Sequence, residues 1–126
     1  MAANGNPGFG TLDGEAVRSL IDLVGDDREA LTEIVEAFVD EAPQRIAELR
    51  DGLAAGDAVL VGRAAHTLKA NGRTFGAFRL AELCQEVEAA ARGGDLAPAS
   101  ARIDELDKAW NEIRPDLEAL RSSAAE

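Results

Sequence analysis

The chain has 126 residues, 46% hydrophobic and 29% charged, with a formal net charge of −11; this is enough for one domain with a core, too apolar for a disordered chain, and of the wrong sign for a nucleic-acid partner. The single cysteine, Cys84, excludes an intrachain disulfide and fits a reducing compartment. The N-terminus has no basic segment followed by an apolar one, and no apolar run approaches the ~18 residues of a membrane span, so a soluble, cytoplasmic, membrane-free protein is expected.

Helical signals dominate the chain. Residues 1–10 are rich in Gly and Asn and read as a flexible tail. A short helix is predicted over 13–24, capped by Thr11 or Asp13, with Ala16, Val17, Leu20, Ile21 and Val24 as its apolar stripe. Asp26 or Asp27 then caps a long helix over 27–53. Its stripe runs Leu31, Ile34, Val35, Phe38, Val39, Ala42, Ile46, Leu49 and Leu53, and Pro43 inside it predicts a kink. Asp57 caps a third helix over 57–74, with Val61, Ala64, Ala65, Leu68 and Leu60 toward the core and Gly76 as its stop. A fourth helix over 77–92 buries Leu80, Leu83, Cys84, Val87 and Ala91, and ends at the turn Gly93-Gly94. Pro98 suits the first turn of a fifth helix that reaches 121, with Ile103, Leu106, Trp110, Ile113, Leu117 and Leu120 inward. Pro115 is expected to bend that helix or split off its last turn. No strand pattern is sustained. Stripes of this kind, joined by short connections, predict an all-α fold: an antiparallel up-down-up-down four-helix bundle with a short additional N-terminal helix. The domain spans 11–122, between the tail at 1–10 and a C-terminal tail at 123–126.

The chemistry concentrates in the third helix. His66 is the only histidine, and imidazole is the side chain that can serve as a neutral nucleophile near pH 7. Its helical neighbours are Gly62, Arg63, Lys69, Ala70 and Arg73, a stripe of small and basic residues that leaves the ring open and offers cations to an anion. Residues 58–81 hold Arg63, Lys69, Arg73 and Arg79 and no Asp or Glu, so basic charge gathers around the histidine of an acidic chain. Phosphate is the anion this suggests. Other chemistries lack their parts. No His, Cys or carboxylate cluster has metal-ligand spacing, no Gly-rich loop follows a strand, and Cys84 falls on an apolar stripe. On the fourth helix, Gln85 and Glu88 are candidates to hold Lys69 or the ring in place. Glu88 is the preferred candidate; the alternative is that it is an exposed helix carboxylate.

The run Ala65-His66-Thr67-Leu68-Lys69, followed by small residues and then Phe75-Gly76-Ala77, closely resembles the histidine-containing phosphotransfer (HPt) domain. That family has a phosphorylatable His, an apolar residue two on, a Lys three on and a Gly ten on, which here are His66, Leu68, Lys69 and Gly76. Arg79-Leu80-Ala81-Glu82-Leu83-Cys84 is similar to the start of the family's next helix, and the helix layout resembles the family over 27–121. One departure is Ala70, where the family usually has Gly; it narrows the approach to the ring and bears on partner preference.

The resemblance implies a carrier in a two-component phosphorelay, without kinase activity of its own. His66 would accept the phosphoryl group from a histidine kinase or a receiver-domain aspartate and pass it to another receiver aspartate. Lys69 would stabilise the group, and Gln85 and Glu88 would support the pair. Gly62, Arg63, Ala70 and Arg73 would form the docking surface for response-regulator receiver domains. No cofactor is expected on this chain, and Mg²⁺ is expected on the partner receiver. Monomeric, stand-alone action is expected. The alternative is a helical adaptor that binds receivers with an inactive site.

Overall fold

The structure, a computed structural model, describes residues 9–125. Among these residues it is all helical: α1 Gly14–Val24, α2 Arg28–Ala55, α3 Ala58–Thr74, α4 Phe78–Gly93 and α5 Ala97–Ala125. The starts follow the capping logic of the sequence. Asp13, Asp27 and Asp57 accept from the backbone N–H groups of Ala16, Ala30 and Leu60, at 2.9, 2.9 and 3.1 Å. No helix among the described residues is long and apolar enough to cross a membrane.

Packing is cyclic. Each of α2 to α5 lies against its neighbour in the chain, α2 also lies against α5, and α1 touches α2 and α3. The enclosed core is continuous and includes Val35, Phe38, Leu49, Val61, Leu68, Leu83, Leu106 and Leu117. Phe38 stacks on Phe75 at 5.1 Å between ring centroids and meets Trp110 at 5.2 Å, so one aromatic cluster ties α2, the α3–α4 turn and α5 together.

Both proline-containing helices are unbroken. α5 is a single helix through Pro115 to Ala125, not a helix with a detached last turn, and it runs past the expected start of a C-terminal tail. Pro115 is exposed, while Ile113 and Leu117 on either side of it are buried, so packing on both flanks outweighs the one lost hydrogen bond. Pro43 is likewise exposed in a continuous α2, between buried Ala42 and Ile46.

The N-terminal side also differs from expectation. Residues 1–8 of the predicted tail lie outside the described residues, but Phe9 and Gly10 form a turn, with Phe9 packed on the core. Thr11 anchors this turn: its backbone N–H and hydroxyl donate to Asp116 Oδ2 at 2.8 and 2.6 Å. Asp13 N–H then donates to the Gly76 carbonyl at 3.1 Å, docking α1 on the α3–α4 turn.

Gly76 is fixed by geometry. Its φ is +73°, and a Cβ there would stand 2.7 Å from the Asp13 backbone nitrogen. Gly76→Ala is expected to destabilise the fold by about 2 kcal/mol or more, from left-handed strain plus the clash with the α1 cap. A urea titration followed by circular dichroism measures this.

Candidate functional site

The close approach of α3 and α4 builds the site. Small buried residues (Ala65 and Gly72 on α3, Ala81 on α4) line the contact. At Gly72 a Cβ would already lie 3.3 Å from the Ala77 carbonyl oxygen. At this separation a side chain on α4 spans the gap. Glu88 does so, and it is the one buried charged residue among those described, 5% exposed.

Three groups converge on its carboxylate. Lys69 Nζ donates to Oε1, in a short contact, and also to Gln85 Oε1 at 3.0 Å. His66 Nδ1 lies 2.9 Å from Oε2, and Arg92 Nη2 donates to the same oxygen at 3.2 Å. Burial pushes the Glu88 carboxyl up, but the hydrogen bonds and charges of Lys69 and His66 outweigh it and hold the group below the usual carboxylate range. Glu88 is therefore an ionised, acceptor-only partner. Nδ1 must be the donor, and in the neutral ring the lone pair belongs to Nε2, the outward nitrogen of a side chain 65% exposed.

That ring opens on a groove of about 640 Å³, lined by Val59, Gly62, Arg63 and Thr67 on α3 and by Ala91 and Arg92 on α4. Gly62 leaves its floor bare: a Cβ there would meet only Ala91 Cβ, at an ordinary 3.5 Å. Cys84 lies beneath the site, fully buried, and burial raises its thiol to about 12, with Lys69 opposing and Glu88 reinforcing the shift. Among the described residues no group of three or more His, Cys, Asp or Glu could hold a metal ion.

The structure brings together His66, Lys69, Gln85 and Glu88, with Gly62 and Arg63 beside them. Glu88 is not the exposed carboxylate that the sequence left as an alternative. Ala70 is exposed on the same face of α3. Arg73 is apart, in a second groove with Phe78 and Gln85. The basic segment is also less concentrated than its sequence suggests. Arg79 turns to Glu105 on α5 at 2.8 Å, and Lys69, only 12% exposed, is committed to α4. Sequence reasoning missed Arg92 and Val59. Both were within reach of the helical repeat: Arg92 is four residues after Glu88, and Val59 is seven before His66.

No curated protein sequence matches the chain significantly. The crystal structure of histidine-containing phosphotransfer protein B (HptB) from Pseudomonas aeruginosa PAO1 is similar, with a TM-score of 0.81 and 28% identity over 90% of this chain and 96% of that one. The family model described as Hpt domain matches residues 33–123, taking in most of α2 and all of α3 and α4 with the whole His66 site. By that match the chain belongs to the Hpt domain family.

Proposed function

We propose that this chain is a cytoplasmic phosphorelay carrier that takes a phosphoryl group on His66 Nε2 from a histidine kinase or a receiver aspartate and gives it to another receiver aspartate. The observation that carries the reading is the buried, ionised Glu88 on His66 Nδ1, which leaves Nε2 with its lone pair toward an open groove. The scaffold beneath it we read as an antiparallel up-down-up-down four-helix bundle, α2 to α5, with α1 added at one end, acting as a monomer.

The chemistry follows from the charges. Nε2 attacks phosphorus, the bond from phosphorus to the donor carboxylate oxygen breaks, and the carboxylate leaves with the electron pair. The ring becomes an imidazolium with its proton still on Nδ1. Glu88 then faces a cation it already hydrogen-bonds, so the charge develops where a fixed counter-charge waits. Lys69 adds positive charge from the closed side of the site and keeps Glu88 ionised. The catalytic Mg²⁺ belongs to the receiver in this reading, and the chain supplies positioning and electrostatics.

Docking requires a partner to press against the bare face of α3. Ala70→Gln should block transfer while the helix holds, because glutamine is a good helix former. Ala70→Gly should cost about 0.8–1 kcal/mol in stability yet transfer at least as fast, since it opens the approach. Single-turnover transfer from a phosphorylated receiver, read as acid-labile label on this chain, tests both. Wild-type rates for Ala70→Gln would move the docking face elsewhere. A chain that binds receivers and never takes label would be the helical adaptor.

A further inference from the structure

Arg92 stands across the groove from His66, on the last turn of α4. Its side chain is 74% exposed, and its one ion pair among the described residues is with Glu88 Oε2 at 3.2 Å. The same oxygen takes His66 Nδ1 at 2.9 Å, so the guanidinium sits beside the ring. Lys69 is placed differently: 12% exposed and held between Gln85 and Glu88. His66 and Arg92 line the same groove, and Gly62 puts no side chain into it.

We propose that Arg92 is the side chain that grips the phosphoryl group once it is on His66, moving from Glu88 Oε2 to the phosphoryl oxygens. The inference rests on His66 being the acceptor. Charge balance drives the exchange. Before transfer, the buried carboxylate is neutralised by Lys69 and Arg92. When Nε2 bonds to phosphorus and the donor oxygen departs, the ring itself becomes cationic, with Nδ1–H still on Glu88. Lys69 and the ring then satisfy the carboxylate, and Arg92 is released at the moment an anion appears within its reach. Arg92 itself is exposed and Glu88 keeps two cationic partners, so its departure strands no buried charge. A guanidinium also presents a planar fork that matches two phosphoryl oxygens, which an ammonium does not.

The test uses the whole protein and phosphoramidate, a small phosphoryl donor that puts phosphorus on the histidine with release of ammonia and needs no docking partner. The pH titration of the phosphohistidine ³¹P resonance is followed in wild type, Arg92→Ala, Arg92→Lys and Arg63→Ala. Arg63 of α3 lines the same groove and, with Lys69 and Glu88, is among the charged groups that face the phosphohistidine; phosphoramidate needs no docking, so Arg63→Ala reports only on its charge. Removing Arg92 is expected to raise the midpoint of the phosphoryl group's second ionisation by about 0.5–1 unit, with Arg92→Lys in between. Transfer from a receiver should slow about tenfold in Arg92→Ala. Coincident titrations of wild type and Arg92→Ala would overturn the role of Arg92 alone, as would a larger shift from Arg63→Ala. No phosphohistidine signal in wild type would overturn the assignment of His66 as well.

Discussion

Replacing His66 with glutamine is expected to abolish phosphoryl uptake and leave the fold intact. The loss should be complete, because the chain has no second imidazole. The fold should survive because the side chain is 65% exposed and, among the described residues, makes a single hydrogen bond, to Glu88 Oε2. Glu88 keeps Lys69 and Arg92 in the variant, so no buried charge is stranded. Label transferred from a phosphorylated receiver and a thermal melt separate the two expectations. Label that persists at the wild-type level would remove His66 from the mechanism.

Glu88→Gln is expected to give the second-largest effect. The amide keeps the shape of the side chain and loses the charge that meets the imidazolium. A charge-assisted hydrogen bond is worth about 1.5–3 kcal/mol, so transfer should slow about tenfold to a hundredfold. Lys69→Ala leaves the ring and Arg92 on the carboxylate and should slow transfer less. The sign of the pH dependence follows from the same contacts. Glu88 is held below its usual range in the folded protein. Its contribution to stability is therefore present above the unfolded value, about 4.3, and is lost as pH falls through the folded value. Glu88→Gln should flatten that acid limb in urea titrations across pH. An acid limb identical to wild type would mean the carboxylate is not stabilised by its partners.

What could be read in advance divides by range. The caps Asp13, Asp27 and Asp57 act within three residues of themselves, and the helix starts follow them directly. The apolar stripes place the core, because a 3.6-residue repeat needs no knowledge of neighbours. His66 is open for the same reason: the core-facing side of α3 is taken by Val61, Ala64, Ala65 and Leu68. Glu88 was ambiguous because its burial depends on another helix. It lies 22 residues from His66, and only the packed α3–α4 pair supplies the cations that allow a carboxylate to be buried. The order at Phe9–Thr11 depends on Asp116, 105 residues away from Thr11. At Pro115 the last turn is not split off, because Leu117 and Leu120 remain packed beyond it, a tertiary contact that local propensity does not show.

The central claim concerns one atom, Nε2, made nucleophilic by a carboxylate on Nδ1. With a single histidine in the chain, ¹⁵N labelling of histidine yields one pair of ring nitrogens, and long-range ¹H–¹⁵N correlation assigns each of them. Recorded before and after phosphorylation, the spectrum is predicted to show the proton on Nδ1 throughout and phosphorus coupled to Nε2. Phosphorus on Nδ1, or a free-state ring with its proton on Nε2, would contradict the account.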